Sequence, residues 1–440
     1  MGVSVRTAPA DMTGTRALWQ ALPDTQPAPL AAAASFGFGD RTGLATPGHA
    51  AAMFAQGRDI APIFVQQSIR EMERTGRTPE DVMSDGVCGA VASGWQGPVG
   101  ADADHLKTPE HVDVTARAGF VFFTIDPSDH VDQRADGYSP AQVEEKFAAF
   151  LADKVAGGDE LLPLYSGSSY TLDDESGTTI SLDELTLKRA AVKYGRALAH
   201  IKAMALHIAA QCPQGFELEI SVDETDQPTS VPEHLFLALE LKRREVPVVS
   251  LAPRFIGDFE KGVDFRGDIA ALEETLKQHA AIAREYGPYK ISLHSGSDKF
   301  SVYPLLAKAT ESMFHVKTAG TSYLEALRAV GRVDPGLFTR VIEFSRSRFD
   351  TDKATYHISA TLDQAPEPGG LSTDEREEVY LNQDPGRQIL HVTFGSVLTV
   401  QEGGNLVFKD DIFRLLQDNK ALHEEVLAAH LGRHLRGLAG

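Results

Sequence analysis

The chain has 440 residues, with a formal net charge of −20 at pH 7, 42% hydrophobic residues and 24% charged residues. This is the composition of a folded globular protein, and the acidic balance argues against a general nucleic-acid binder, because phosphate contacts need clustered Lys and Arg. The length suits one large α/β domain with added segments, or two ordinary domains.

The cysteines and the apolar runs restrict the compartment. Cys88 and Cys212 form no CxxC pair and no disulfide framework, which favours a reducing cytoplasm. No secretory signal is visible at the N-terminus, and no stretch reaches the roughly 18 apolar residues that a membrane helix needs. We therefore expect a cytoplasmic protein that acts on a small molecule, without nucleic-acid or membrane partners. A homo-oligomer is compatible with the sequence.

Short apolar runs that end in polar or glycine-rich turns recur after an Ala-, Pro- and Thr-rich lead-in at 1–34. Eight of them precede residue 320 and are predicted as strands, at 35–40, 60–67, 97–105, 120–127, 216–225, 246–253, 290–296 and 314–320. The segment 128–180 is predicted as an insertion between the fourth and fifth strands. Two further strand-like pieces, YHISATL (356–362) and ILHVTFGSVLTV (389–400), follow residue 330.

Predicted helices separate many of the runs. The clearest follows Ser181, where SLDE has the S-x-x-E form of a capping box. Apolar residues then recur at helical spacing, at Tyr194, Leu198, Ile201, Ala205 and Ile208. Further helices are predicted at 232–245, 268–286, 304–313 and 322–330, and a helix of about 28 residues is expected to close the chain.

Alternating strands and helices imply parallel strands joined by crossovers. Eight such units predict a (β/α)8 barrel of the TIM type over 35–330, with the insertion after strand 4 and a C-terminal extension at 331–440 packing on it. A doubly wound open sheet is the alternative. In such a barrel the active site lies at the C-terminal ends of the strands, and nearly every predicted strand ends in a polar or charged side chain.

The fifth predicted strand, FELEISVDE, alternates apolar and polar residues. Period two places Glu219 toward the barrel axis, where a buried carboxylate needs a metal, a cation or a proton. The same rule places Asp126 and His294 inward at the ends of their strands. His105, His294 and a carboxylate could therefore hold a divalent cation, and this donor set suits Zn, Mn, Fe or Ni.

Other catalytic motifs are absent. FGFGDRTG has Gly37, Gly39 and Gly43, which is not the GxGxxG pattern of a dinucleotide fold. The sequence contains no GxxxxGK[ST] and no GxSxG, so neither a P-loop nor a nucleophile elbow is supported.

Several longer stretches resemble the tagaturonate/fructuronate epimerases of hexuronate catabolism. They span roughly 39 to 400 and are GDRTGLATPGH, QQSIREMERTGRTP, GADADHLKT, FFTIDPSDHVD, SVDETDQPT, LAPRFIGDFEKGVDF, KISLHSGSDKFSVYP and HVTFGSVLT. The resemblance implies a metal-dependent isomerase that interconverts D-tagaturonate and D-fructuronate, and some relatives also accept neutral ketohexoses.

If the family reaction holds, the inverted stereocentre is β to the ketone, so simple enolisation would exchange a proton at the wrong carbon. A retro-aldol route fits better, with one base and one acid acting on opposite faces of the substrate. Transient oxidation at the same carbon is the competing mechanism, and no nicotinamide motif supports it.

The resemblance implies roles for individual residues. Asp104 is the expected base and Glu219 the second acid/base group. His105, Glu260 and His294 are the expected metal residues, with Glu224 and Asp126 in reserve. The substrate and its carboxylate are expected to contact Arg41, Arg254, Asp298, Lys299 and Lys317.

Two other functions are weighed against the epimerase. A metal-dependent aldolase or isomerase acting on a related sugar acid would use the same enediolate chemistry, and net cleavage to two carbonyl fragments would reveal an aldolase. A non-catalytic sugar-acid binder is disfavoured by the inward Glu219 and by the two histidines.

Overall fold

The protein is a closed barrel of eight parallel strands, and the computed structural model describes residues 8–154, 157–172 and 177–439. The strands, in chain order and in order around the barrel, are β1 (Ser35–Gly39), β2 (Ala61–Ser68), β3 (Ala101–Leu106), β4 (Phe122–Ile125), β5 (Glu217–Ser221), β6 (Val248–Ala252), β7 (Lys290–Leu293) and β8 (Phe314–Thr318). β8 pairs with β1 and closes the barrel. The predicted (β/α)8 fold is confirmed, and the open sheet is excluded.

Helices surround the barrel and continue into the C-terminal part of the chain. Up to β8 they are Met12–Ala21, Thr46–Gln56, Ile69–Thr75, Pro79–Ala92, Pro109–Ala118, Pro140–Ala152, Leu161–Tyr165, Glu184–Gln211, Val231–Arg243, Ile269–Tyr286 and Tyr303–Ala309. After β8 they are Thr321–Val333, Pro335–Asp352, Thr373–Glu377, the π-helical turn Glu378–Asn382, Asp384–Val392, Phe394–Thr399, Lys409–Asp418 and Lys420–Leu438. None of the helices in the described ranges combines the length and apolar character needed to cross a membrane.

Helix starts follow local sequence rules, with one correction. Ser139 and Ser230 each close a capping box, and a proline follows within the first two helical positions, Pro140 and Pro232. Ser181, by contrast, is not a cap, because it pairs with Ser169 in an antiparallel hairpin within the predicted insertion. Asp183 is the cap instead, since its side chain accepts the backbone N–H of Thr186.

The strands predicted near the C-terminus are wrong. The run at 389–400 lies in the helices Asp384–Val392 and Phe394–Thr399, and YHISATL forms no strand. The first of these helices has Pro385 in its first turn, and all its residues from 386 to 392 are buried, so its apolar side chains follow one another without exposed positions between them. A short continuous apolar run does not distinguish a strand from a buried helix. The single final helix is also two helices, Lys409–Asp418 and Lys420–Leu438, separated at Asn419.

The last helix, Lys420–Leu438, belongs to the outer wall of the barrel. It packs against Thr46–Gln56, which follows β1, and against Thr321–Val333, which follows β8. The contact is close at Gly48, where a Cβ atom would come within 2.5 Å of the Cβ atom of Leu427. The rest of the C-terminal part forms a second hydrophobic core that includes one side of Thr321–Val333.

The barrel interior is polar, as the alternation in β5 predicts. Near the start of the strands, the Oγ atom of Ser35 lies 3.1 Å from Lys290 Nζ and 2.9 Å from His315 Nδ1. Farther along the axis, Lys317 of β8 reaches across to Glu219 of β5, with 2.8 Å between Nζ and Oε1. Charged groups of opposite sign therefore fill the axis that leads to the C-terminal face.

A buried His–His–Tyr chain outside the barrel should make the fold sensitive to acid. His234 Nδ1 lies 2.9 Å from His279 Nδ1, and His234 Nε2 lies 2.8 Å from the hydroxyl of Tyr289. Burial lowers the pKa of His279 from 6.5 to about 4 and holds the pKa of His234 well below its usual value. The unfolded chain therefore binds protons first as pH falls, so stability present above pH 6.5 is lost toward pH 4.

We expect His279 alone to account for about 3 kcal/mol of this loss by pH 4. Thermal unfolding of the native protein and of His279→Gln between pH 7 and pH 4 measures it. The fall in Tm should be smaller in the variant. Parallel Tm curves over this range would contradict a buried, neutral His279.

Candidate active site

A break in the register of β3 turns two adjacent side chains toward the barrel mouth. In a regular strand, Asp104 and His105 would point to opposite faces. The pairing of β3 with β4 shifts between Ala103 and Leu106, and His105 has a φ of 54°. Bulges and positive φ angles of this kind concentrate at functional sites. As a result, both side chains are only partly buried, and they lie together at the C-terminal end of β3.

His294 faces this pair from the end of β7. The centroids of the His105 and His294 rings are 5.1 Å apart. His294 Nε2 lies 2.6 Å from Glu219 Oε1, and Nδ1 lies 3.2 Å from Asp223 Oδ1. Burial alone would lower the pKa of His294, but the charges of Asp223 and Glu219 raise it to about 9. Similarly, Asp104 and Asp126 overcome burial and raise the pKa of His105 to about 10.

Lys317 holds three carboxylates beneath the histidines. Its Nζ atom lies 2.7 Å from Asp104 Oδ1, 2.8 Å from Asp102 Oδ2 and 2.8 Å from Glu219 Oε1. Burial would raise the pKa of Asp104, but His105, Lys317 and His294 together lower it below its usual value. Asp104 is therefore an ionised, partly accessible carboxylate, as a base must be. The three N–H donors of the Lys317 ammonium group all have carboxylate partners. Lys317 is therefore not available to bind a substrate carboxylate, contrary to the expectation from the sequence.

Glu219 is fully buried and lies beneath His294. Its side chain has no exposed surface, and its oxygens contact His294, Lys317 and Thr124 through Oε1 and Ser250 through Oε2. The inward orientation predicted from the sequence is correct, but a direct acid/base contact with substrate is not available to this carboxylate. Its contacts instead orient His294 and Lys317.

A cavity of about 340 Å³ opens beside His294 at the C-terminal ends of β5, β6 and β7. This volume is in the range of small-molecule sites. Strand ends and the loops after them supply most of its wall, and residues 355–357 of the C-terminal part supply the rest. The lining includes Arg70, Asp223, Glu224, Arg254, Phe255, Lys261, His294, Ser295 and Tyr356.

Two groups at this face have the donors for a metal ion. Asp104, His105 and His294 each place one ligand atom within 4.8 Å of the others, as do His105, Asp126 and Glu224. Imidazole and carboxylate donors fit Zn, Mn, Fe or Ni. Here the two histidines carry the positive charge that balances the acids, and a divalent cation would carry the same charge.

The expected metal residue Glu260 does not join either group. Its carboxylate accepts hydrogen bonds from the backbone N–H and hydroxyl of Ser359 and from the Nε2 group of Gln388, at 2.7 to 3.1 Å. In the described parts of the chain it belongs to none of the clusters that could hold a metal. These bonds instead fasten the C-terminal part to the loop after β6.

Three of the residues expected to bind substrate have structural roles. Lys299 is fully buried and donates to the backbone carbonyls of Glu260, Val263 and Ser297 at 2.5 to 3.0 Å. Asp298 lies 2.7 Å from both Arg387 Nη2 and His430 Nε2. The loop after β7 is therefore a junction with the C-terminal part and not a substrate-binding loop. Within it, only His294 and Ser295 line the cavity.

Arg41 is the third of these residues. Its guanidinium pairs with Glu71 at 2.5 Å, donates to the carbonyl of His391 at 3.1 Å and stacks on Phe394 at 3.5 Å. Only 2% of the residue is exposed, so it offers nothing to a ligand. Arg254 is the one expected carboxylate-binding residue that lines the cavity.

Some site residues were not singled out from the sequence. Asp223 ends the fifth predicted strand, so its position was visible but its contact with His294 was not. Lys261 follows Glu260 in a stretch that carries the family resemblance, and its basic side chain was the available signal. Tyr356 has no comparable signal, because it reaches the cavity through the folding of the C-terminal part over the barrel.

Comparison with known proteins gives one consistent result. A family model described as tagaturonate epimerase matches residues 2–438. A tagaturonate/fructuronate epimerase from Thermotoga maritima is 43% identical over 418 residues, which are 95% of this chain and 83% of that protein.

Solved structures agree. A glycerol-complexed crystal structure of the fructuronate-tagaturonate epimerase UxaE from Cohnella laeviribosi matches with a TM-score of 0.92 and 33% identity, covering 100% of this chain and 89% of that one. The native form matches with a TM-score of 0.90 and 34% identity, covering 98% and 86% of the two chains. The resemblance seen in the sequence is confirmed, and the chain belongs to the tagaturonate epimerase family.

Proposed function

We propose that this protein is an isomerase that interconverts D-tagaturonate and D-fructuronate by inverting the carbon β to the ketone. Family membership supports the reaction class. The observation that carries the proposal is the group of Asp104, His105 and His294 at the barrel mouth, beside a cavity of about 340 Å³. A small-molecule keto acid fits this cavity, and we expect the enzyme to work in the cytoplasm.

His105 and His294 are the residues we assign to a divalent metal. When bound, the cation would supply a Lewis acid that stabilises negative charge on the ketone oxygen. The neighbouring acids orient the two rings, since Asp126 lies 3.4 Å from His105 Nδ1 and Asp223 lies 3.2 Å from His294 Nδ1.

The proposed chemistry is a retro-aldol reaction followed by its reverse. Asp104 takes the proton from the β-hydroxyl, the bond between the α and β carbons breaks, and its electrons move to the ketone to give an enediolate. The β carbon becomes an aldehyde, which turns its other face before the bond re-forms. The new alkoxide then takes up a proton delivered through the second acid/base group, so the step ends with Asp104 protonated and that group one proton poorer. Asp223 is our candidate for that group, because it faces the cavity, Glu219 does not, and the proton can come from His294 Nδ1 at 3.2 Å from Asp223 Oδ1.

The function is tested with purified, metal-loaded protein and each keto acid separately. Proton NMR should show each compound converting to the same equilibrium mixture of the two. Accumulation of three-carbon fragments instead would assign the protein as an aldolase. No change in either keto acid would refute the proposed substrate. Neutral ketohexoses, tested in the same assay, show whether the expected wider activity exists.

Metal binding gives a separate prediction. Chelator treatment should abolish activity, and re-addition of a divalent cation should restore it. By elemental analysis, His105→Ala and His294→Ala should each lose most of the bound metal.

His434→Gln is the matched control, because Asp298, His430 and His434 form a third cluster of potential ligands. His434 is fully buried at the junction with the C-terminal part, where its Nε2 accepts the Asp298 backbone N–H at 3.0 Å and its Nδ1 donates to the His430 carbonyl at 3.1 Å. If His294→Ala keeps its metal and His434→Gln loses it, the metal binds at the cluster of Asp298, His430 and His434, and our assignment is wrong.

A further inference from the structure

Two basic side chains in the lining of the cavity beside His294 form no ion pair with the acids around them. Within its lining, Arg70 pairs with Glu224 at 3.0 Å, and His294 pairs with Asp223 at 3.2 Å. His357 Nε2 lies 3.3 Å from Asp258 Oδ1. Each acidic side chain of the lining therefore already has a nitrogen partner of its own.

Arg254 and Lys261 are the basic residues left over. Neither makes an ion pair with any residue in the described ranges, and both are half-buried. The Nε atom of Arg254 is buried without a hydrogen-bond partner. Among the described residues, the one hydrogen-bond partner of Lys261 Nζ is a neutral group, the hydroxyl of Ser295, at 3.2 Å. Burial without a counter-charge is costly for a cation, and these two lack one although the chain has 62 Asp and Glu against 42 Lys and Arg, which points to an anionic ligand.

Both residues are held in position by the fold. The backbone of Arg254 exchanges hydrogen bonds with Thr229, at 3.0 Å to its Oγ1 atom and 2.8 Å from its N–H. Lys261 follows Glu260, whose carboxylate is tied to Ser359 and Gln388. Lys299 and Lys317, two other basic residues near the strand ends, have no free donor, as described above.

We propose that Arg254 and Lys261 together bind the carboxylate of the keto acid and hold it throughout the reaction. A guanidinium can bind a carboxylate through two parallel hydrogen bonds, and an ammonium adds a compact second charge. This proposal rests on the proposed function and adds to it the group that selects an acid over a neutral sugar.

The position of the carboxylate in the substrate implies a second role for Arg254 and Lys261, which is to retain a reaction intermediate. Breaking the bond between the α and β carbons of a six-carbon keto acid leaves the carboxylate on the aldehyde fragment. This is the fragment that must turn before the bond re-forms. A carboxylate held by Arg254 and Lys261 keeps the fragment in the site, yet allows rotation about its remaining single bonds. A neutral sugar would yield a fragment without this anchor, which could escape as a cleavage product.

Binding of two three-carbon probes tests the proposal without turnover. Glycerate carries the carboxylate of the aldehyde fragment, and glycerol lacks it. Calorimetric titration should show glycerate binding to the native protein about 10- to 100-fold more tightly than glycerol, as expected for charged hydrogen bonds. Lys261→Met and Arg254→Met should each remove most of this preference, and Lys261→Arg should retain it.

Exposed residues supply matched controls. Lys308→Met and Arg134→Met remove the same charges from side chains that are 72% and 80% exposed, and should leave the preference for glycerate intact. During turnover, KM for the keto acid should rise about 10- to 100-fold in the two cavity variants. Free three-carbon aldehyde should also accumulate in their reactions.

The outcomes separate the two proposals. Equal binding of glycerate and glycerol to the native protein, or an unchanged preference in both cavity variants, overturns the carboxylate site even if the enzyme interconverts the keto acids. Selective glycerate binding that depends on Lys261 supports the site even if the reaction proves to be a different one. If Arg254→Met lowers the Tm of the protein, Arg254→Lys takes its place. This variant keeps a positive charge and should weaken glycerate binding less than Arg254→Met does.

Discussion

Replacement of Asp104 by asparagine is expected to lower kcat by about 10²- to 10⁴-fold, the usual contribution of a general base. The amide keeps the shape of the carboxylate but cannot accept the proton of the β-hydroxyl. Lys317 retains Asp102 and Glu219 as partners at 2.8 Å in this variant, so the protein should remain folded. Steady-state kinetics with either keto acid measures the effect.

Metal content distinguishes a base from a ligand at this position. Asp104 also belongs to a group of potential metal ligands with His105 and His294. If Asp104 is the base, elemental analysis should find unchanged metal in the slow variant. Loss of metal would make Asp104 a ligand, and kcat within threefold of the native value would remove it from the mechanism. Asp129→Asn is the control, since this carboxylate is 67% exposed and pairs with Lys107 at 2.8 Å.

Replacement of Lys317 by methionine should destabilise the protein by about 3 to 5 kcal/mol, the usual result of removing one partner of a buried ion pair. Three carboxylates would lose their common cation in a part of the barrel with almost no exposed surface. The Coulomb interactions with these acids outweigh burial and raise the pKa of Lys317, so it is charged at any working pH. The loss should therefore be largest at neutral pH and shrink below about pH 4, where the acids take up protons.

Lys290 supplies the comparison for this variant. It is also buried in the barrel, but its nearest polar contact is the hydroxyl of Ser35 at 3.1 Å, and burial lowers its pKa. Lys290→Met should lower Tm much less than Lys317→Met does. Equal losses of Tm would show that side-chain packing, rather than charge pairing, explains the effect at Lys317.

The sequence predicted the barrel well because strand alternation is a local property. Period two in FELEISVDE placed Glu219 on the axis, and the structure has it there. The run at 389–400 misled because its residues pack into a second core, which no local pattern reveals. Ser181 misled for a similar reason, since the hairpin that uses its backbone is formed with Ser169.

The site was predicted less completely, because it depends on which loops fold back onto which partners. The strand ends predicted that His105 and His294 would meet, and their rings are 5.1 Å apart. The same reasoning could not show that Lys299 turns away to three backbone carbonyls. Nor could it show that residues 355–357 complete the cavity wall, because these residues are far in sequence from the strand ends that form the rest of the wall.

The packing of Lys420–Leu438 against Thr46–Gln56 has a consequence for biosynthesis. The helix that follows the first strand is covered by Lys420–Leu438, and Gly48 meets Leu427 only after all eight strands of the barrel have been made. Contacts so distant in sequence form late, because the chain entropy of bringing the ends together comes first. During translation, the first part of the barrel therefore exposes an apolar surface to the cell until Lys420–Leu438 has left the ribosome.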